Sequence, residues 1–414
     1  MLPSLNFSFI RSTTYHMLDV YQSSVQLHQK HQGKLATQPL VAADTKEALS
    51  LLYTPGVAEP CRAIAKDPSK AYDLTWKGRT VAVVSDGSAV LGLGNIGALA
   101  ALPVMEGKAL LMKQFAGVDA VPIVLDTQNT HEIIATVRHL APTFAGINLE
   151  DISAPRCFEV EEALQDIGVP VFHDDQHGTA IVVLAALQNA AKVVGKPFET
   201  LRVVVVGAGA AGIAISRMLL GVHCLAGACQ SVHGHTRVAD VIVVDTQGAI
   251  IVGRSDLNIY KQALAGLSNQ EQRAGSLASV IKGADVVIGV SGPDTITPAM
   301  VKSMAKNAIV FAMANPIPEI MPEQALAAGA AVVATGRSDF QNQINNVLAF
   351  PGIFKAVIEG RLTKLDLTMK YAAAQAIANL VPNPTAQQIV PSPFTPGLAD
   401  SVAQAVLAST NYAH

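Results

Sequence analysis

The chain carries two acidic pairs, Glu150-Asp151 in NLEDIS and Asp174-Asp175 in VFHDDQHGTA. Both follow short apolar runs of the kind that form buried strands. Carboxylates held at strand ends suit a hard divalent cation such as Mg²⁺ or Mn²⁺. Downstream, VVVVGAGAAGIA places Gly207, Gly209 and Gly212 as G-x-G-x-x-G between a four-valine run and an apolar helix. The first glycine permits the tight turn, the second admits a pyrophosphate, and the third lets helix and strand close up. Ala210 and Ala211 complete this turn, whose backbone N–H groups open a helix and so face phosphate. A chain with both features can polarise a ketone oxygen with a metal while a nicotinamide takes a hydride.

Asp245 ends the next predicted strand, VIVVD, and suits the adenosine ribose hydroxyls. No Arg or Lys follows it until Arg254, which favours NAD, with NADP left open. Asp245 lies 38 residues after Gly207, against about 20 in the usual unit. The excess is an insertion over residues 222–240 that contains His223, Cys224, Cys229, His233 and His235. These donors are enough for a zinc ion by number, but their spacing matches no common zinc module. The insertion therefore reads as a surface loop.

The elements that must hold these residues follow from composition and rhythm. Half of the 414 residues are apolar, aromatics are sparse at 5%, and charged residues make up 15%. Ala, Val, Ile and Gly dominate, as expected for an α/β protein with nearly all-apolar parallel strands. A chain this long exceeds one core, so two domains are expected. VAVVSDG, VDAVPIVLD, GINLEDI and VPVFHDD read as strands of the first, residues 1–176. A glycine-rich LGLGNIG turn and the amphipathic helix THEIIATVRHLAP lie between them. GTAIVVLAALQNAAKVVG reads as a helix ended by Gly195 and Pro197. The second domain, residues 177–414, continues with VVVV, VIVVD, ADVVIGV, AIVFAMAN and AVVATG. It reads as a Rossmann-type doubly wound parallel sheet, followed by a helical tail that would pack back on the first domain.

The net charge of −3, with no basic stripe, argues against nucleic acid or an anionic membrane as partner. No uninterrupted apolar run reaches the length of a bilayer span. Four cysteines (Cys61, Cys157, Cys224 and Cys229) make no disulfide framework in a chain this long, so a reducing cytoplasm is expected. The first sixteen residues resemble none of the regular elements, which leaves Met17 as an alternative start to Met1.

YTPGVAEPC, VMEGKALL, NLEDI, FHDDQHGTA and ANPIPEI occur in an order that resembles the malic enzymes, specifically the short bacterial type. The resemblance implies an N-terminal malic-type α/β domain, an NAD-binding domain and a homodimer. It implies oxidation of L-malate at C2 and decarboxylation to pyruvate and CO₂, with NAD reduced and Mn²⁺ or Mg²⁺ required. Glu150, Asp151 and Asp175 match the family's metal ligands, leaving Asp174 to orient a ligand or the catalytic lysine. Lys108, in the otherwise apolar MEGKALL, matches the general base, with burial and the metal lowering its pKa. Tyr53 matches the acid that protonates C3. Asn315 and Asn346 match asparagines that bind the substrate.

Longer malic enzymes carry a substrate-gripping arginine where this chain has Ala89. Backbone amides of the turn, or Arg337, would have to substitute. Whether Tyr53 and Lys108 serve one subunit or act across a dimer is open from sequence. The nearest rival is a malolactic-type enzyme, expected among longer chains. The others are a metal-free amino-acid dehydrogenase and a non-enzymatic dinucleotide sensor.

Overall fold

The structure is a computed structural model and describes residues 17–410 apart from 91, 226 and 233. The alternative start at Met1 and the donor His233 therefore lie outside the described residues. The chain divides into a small unit ending at Val41 and a large one beginning at Ala42. The small unit holds α1 (Met17–His31), which ends where Gln32 and Gly33 take positive φ.

The large unit opens with three short helices, α2 (Lys46–Leu52), α3 (Ala58–Lys66) and α4 (Ala71–Leu74), none of which has a buried residue. A first sheet then alternates with helices: β1 (Thr80–Ser85), α5 (Ala98–Ala116), β2 (Asp119–Val124), α6 (Thr130–Leu140), β3 (Gly146–Leu149), α7 (Arg156–Ala163) and β4 (Val171–His173). Its strands are parallel in the order β2-β1-β3-β4. Helix α8 (Asp174–Val194) links the halves and stops at Gly195, whose left-handed φ of 67° closes the C-cap. Among the described residues it is the only helix long and apolar enough to cross a membrane by length and composition, and most of it is buried in the protein.

The second sheet is built from β5 (Arg202–Val206), α9 (Ala210–Leu220), the hairpin β6 (Val222–Leu225) and β7 (Ala228–Ser231), β8 (Asp240–Asp245), β9 (Gly248–Ala249), α10 (Ile259–Ala265), α11 (Leu277–Val280), β10 (Val286–Gly289), α12 (Pro298–Ser303), β11 (Ala308–Ala312), α13 (Pro322–Ala327) and β12 (Ala330–Thr335). The order is β12-β11-β10-β5-β8-β9, parallel except for the short β9; β6 and β7 pair only with each other. Strand β11 stops at Ala312, so MANP forms a corner rather than a strand end. The tail forms α14 (Phe350–Gly360), α15 (Leu367–Asn379) and α16 (Leu398–Ser409). Helix α14 lies on the first sheet, where Phe354 and Val357 crowd Gly146 so closely that a Cβ there would meet both. The all-apolar β11 and the mostly apolar β1 are buried throughout, as parallel sheets covered on both faces require.

In each sheet the strand order reverses beside the strand that leads into a glycine-rich turn. The chain leaves β1 for β2 on one side and β3 on the other; it leaves β5 for β8 on one side and β10 on the other. Such switch points open a crevice at the carboxyl ends of the strands.

The insertion corrects two expectations. It is an ordered hairpin rather than an irregular loop, and Cys224 and Cys229 are bonded to each other across it. They face each other in register, a proximity that their spacing alone does not disclose. A zinc site there has no thiolates to draw on, and His235 is stacked on Tyr371.

Candidate functional site

The acidic pairs meet where β3 and β4 end. Glu150 follows β3 directly, and its N–H donates to Val84 O at the end of β1. Asp151 turns the chain at φ 54°, and its carbonyl accepts from Ala89 N. Asp174 and Asp175 form the first turn of α8, where the helix dipole favours negative charge. One carboxylate oxygen from each of Glu150, Asp151 and Asp175 lies within 4.8 Å of the others. The Asp151 N–H donates to Asp175 Oδ2 at 2.9 Å, tying the two loops together. Asp174 points elsewhere, towards Lys108.

Lys108 comes from the middle of α5, which runs through Pro103 without stopping. Its Nζ lies 2.5 Å from Asp174 Oδ2 and 2.9 Å from Glu150 Oε1, and 4.2 Å from the centre of the Phe350 ring. Burial pulls its pKa down and is the largest single influence. The charges of Asp174, Glu150 and Asp175 together outweigh it and hold the ammonium above its usual value. This corrects the expectation of a lowered pKa: sequence shows the apolar helix around Lys108 but not the acids that face it. Burial also raises the acids. Burial first, then Asp175 and Glu150, pushes Asp151 up to about 9; burial takes Asp174 up to about 6 against the pull of Lys108. Glu150 is raised in the same way.

Three carboxylates that repel one another, with Asp151 Oδ2 buried and lacking a hydrogen-bond partner, are a donor set that a divalent cation fits. The oxygens are hard, their spacing is short, and a dication cancels the repulsion. Gly178, one turn along α8, is required beside them. A Cβ there would lie 1.8 Å from Asp174 Oδ1 and 3.1 Å from Asn346 Cβ. Asn346 thus sits beside Asp174. Asn315 stands at the MANP corner, where a Cβ on Gly92 of the LGLG turn would lie 2.9 Å from its carbonyl. The two switch-point crevices therefore face one another there.

In the second sheet Gly207 has φ 114°, and a Cβ would lie 2.5 Å from Val290 O. A Cβ on Gly212 would lie 1.8 Å from Gly207 O, whereas Gly209 faces open space. Ala210 and Ala211 begin α9. This geometry leaves room for phosphate where backbone N–H groups converge. Asp245 is not left to a ribose alone: Arg254 bonds both its oxygens at 3.0 and 3.2 Å, and Lys261 Nζ lies 2.8 Å away. Distance along the chain thus misrepresented this corner, because α10 and its leading loop fold back on β8.

Two site residues stand apart. Tyr53 caps α2 and is 67% exposed, and it is not among the partners of Lys108. Arg337 bonds Asp339 and Pro316 O and lies over Phe340, beside the MANP corner. Sequence reasoning overlooked Asn148, which donates to Glu150 Oε2 at 2.8 Å, and Phe350 beneath Lys108. It also overlooked Glu319, which is fully buried and accepts from Ser291 N and Ala314 N, joining the loops after β10 and β11. The acid in ANPIPEI was the only signal for it.

Comparison with known proteins agrees with this geometry. The family profile for the malic enzyme N-terminal domain matches residues 29–165, and that for the malic enzyme NAD-binding domain matches residues 176–408. The chain belongs to the malic enzyme family. It is 54% identical to an NAD-dependent malic enzyme of Geobacillus stearothermophilus over 91% of this chain and 76% of that one. It is 52% identical to a bifunctional malic/malolactic enzyme of Bacillus subtilis, covering 94% of this chain and 92% of the relative. That relative corrects the expectation that malolactic activity belongs to longer chains. Among solved structures, the NAD-dependent malic enzyme of Thermotoga maritima superposes with a TM-score of 0.87 at 46% identity, covering 93% of this chain and 98% of that one. NADP-dependent malic enzymes are also among the relatives.

The raised carboxylates of this family member make a sign-specific prediction. Without metal, folded Asp151 keeps its proton up to about pH 9, whereas in the unfolded chain it ionises near the ordinary carboxylate value. The folded state then binds the extra proton, so stability falls as pH rises from about 4 through 9. Thermal melts in EDTA should show the midpoint dropping between about pH 6 and 9, with Mn²⁺ restoring it and Asp151→Asn flattening the slope. A metal-free midpoint that holds steady or rises over that range would contradict the assignment.

Proposed function

We propose that the chain catalyses the oxidative decarboxylation of L-malate to pyruvate and CO₂, reducing NAD and requiring a divalent metal. The observation that carries this reading is Lys108, clamped between Asp174 and Glu150 at a cluster of three mutually repelling carboxylates, in a chain of this family. Glu150, Asp151 and Asp175 would hold Mn²⁺ or Mg²⁺, which when bound supplies positive charge that polarises the C2 oxygen of malate. Lys108 would act as the neutral amine, a form favoured once a bound dication offsets the acids that hold its proton; its Nζ would then take the C2 hydroxyl proton, with Asp174 orienting the ammonium so formed. The C2 hydride passes to the nicotinamide, the C4 carboxylate leaves as CO₂, and Tyr53 protonates C3 of the resulting enolate. Asn315 and Asn346 orient the substrate. Gly207, Gly209, Ala210, Ala211 and Gly212 receive the pyrophosphate.

The division of labour is read as a malic domain over residues 1–176 and a cofactor domain with its helical tail over 177–414. The first matched family region ends at residue 165 and the second begins at residue 176, one residue before the second domain so drawn. The second reading, malolactic turnover with lactate as product, has one supporting observation, the name of the Bacillus subtilis relative.

A homodimer completes the site in this reading. Leu49, Leu51, Leu52, Tyr53, Leu74 and Trp76 are all exposed on the short helices before β1 and the turns beside them. Exposed apolar side chains in that number suit burial against a second copy of the chain, to whose Lys108 Tyr53 would then belong.

Purified protein with malate, NAD and Mn²⁺ should accumulate NADH and pyruvate in equal amounts. Lys108→Ala and Asp175→Ala should each lower turnover by about 10²-fold or more while leaving NAD binding intact; near-normal rates in either would sink the mechanism. At the ribose corner, Asp245→Ala should remove the carboxylate that repels a 2′-phosphate and release Lys261, with Arg254 still held by Asp256 beside it. It should raise kcat/KM for NADP relative to NAD by about 10-fold, and an unchanged ratio would remove Asp245 from cofactor choice. Co-expressing Tyr53→Phe with Lys108→Ala should restore about a quarter of wild-type activity if the site is shared across a two-fold dimer. No recovery in confirmed heterodimers would place both residues in one subunit.

A further inference from the structure

The insertion that the dinucleotide site leaves unexplained has a second consequence. Its hairpin forms one wall of a cavity of about 500 Å³, closed on the other sides by α7, α8, α9 and the start of α15. Gln176 and His177 line it, although they directly follow Asp175 in sequence, so α8 presents one face to the carboxylate cluster and another to this cavity. A water occupies about 30 Å³ of liquid, so the space could hold a small organic molecule.

The polar groups around it are unevenly satisfied. His177 Nε2 lies 2.8 Å from Glu161, which also accepts the backbone N–H of His173. Asp366 caps α15 through Met369 N. Arg217, in the last turn of α9, lies with its guanidinium 5.8 Å from the ring centres of Phe158 and Tyr260. Its Nε and Nη2 atoms are buried and have no hydrogen-bond partner, and neither has Gln176 Nε2. The charges of Glu162 and Glu161 act on Arg217, but no hydrogen bond reaches that edge. Lys370 also lines the cavity, and burial holds its ammonium below the usual value. The α9 dipole explains why a cation is tolerated at that helix end. It does not explain two buried guanidinium donors with nothing to bond, an arrangement that costs free energy unless a ligand or water completes it.

Nε and Nη2 form one edge of the guanidinium fork, whose spacing matches two oxygens of a carboxylate or phosphate. We propose that this cavity is a binding site for a small oxyanion-bearing metabolite, gripped bidentately by the Nε–Nη2 edge of Arg217, with Gln176 and Lys370 as further donors. It is separate from the carboxylate cluster and from the glycine turn, and it does not depend on the activity proposed above.

Calorimetric titration of the full chain in EDTA with inorganic phosphate, and separately with succinate, tests this at constant ionic strength. At least one probe should bind saturably at one site per chain. Phosphate binding alone would mark a phosphate ester as the ligand class, and succinate binding alone an organic acid. Arg217→Gln should weaken binding by about 10-fold or more, while Arg273→Gln, which alters an exposed cation bonded to Ser279 O and Lys282 O, outside the cavity lining, should not. Should Arg217→Gln fail to fold by circular dichroism, Arg217→Lys keeps charge and bulk but loses the fork, and should show the same weakening. Absence of saturable binding by either probe, meaning a cavity filled by water only, would overturn the proposal. So would wild-type affinity in a folded Arg217 variant.

Discussion

Lys108 enters a nest of acids, with its ammonium 2.5 Å from Asp174 and 2.9 Å from Glu150, and Asp151 and Asp175 beyond. The charge balance there is what the surrounding structure has to maintain. Three buried carboxylates and a part-buried fourth cannot be held together unless cations neutralise them, and one ammonium is not enough, as the raised pKa values of Asp151 and Asp174 record. The neighbours serve that balance. Asn148 donates to Glu150, the Asp151 N–H reaches Asp175, and Gly178 yields its side-chain space to Asp174. The first turn of α8 adds a favourable dipole beneath both aspartates.

Parallel sheets make such a concentration of charge possible. Their strands are buried along their length, so polar chemistry is displaced to the ends, where chain reversals leave crevices. The first sheet puts acids at that edge and the second puts glycines there. The two edges approach at the LGLG turn and the MANP corner, so near that Gly92 has no room for a Cβ. Glu319 holds the loops behind that corner from within the core. The same displacement to strand ends operates at Asp245, where two cations close on one carboxylate.

Much of this was readable from residue order. Runs of Val and Ile bounded by glycine marked the strands, the G-x-G-x-x-G turn marked the switch point of the second sheet, and the motifs in succession marked the family. What failed depended on contacts between distant segments. Lys108 looked like a base made weakly basic by burial, yet its acids come from two other elements. Asp245 looked free of cations because Arg254 is nine positions away in sequence, although it is adjacent in space. Cys224 and Cys229 looked incidental until the hairpin set them opposite each other.

The sequence by itself determined the element types, the family, and which side chains can bind a cation, a phosphate or a proton, because those follow from local pattern and residue chemistry. Tertiary structure alone decided which charges face one another: Lys108 with Asp174 rather than solvent, Asp245 with two cations, and Arg217 with an empty edge towards a cavity. Electrostatic energy depends on separation and burial, and neither is a function of distance along the chain.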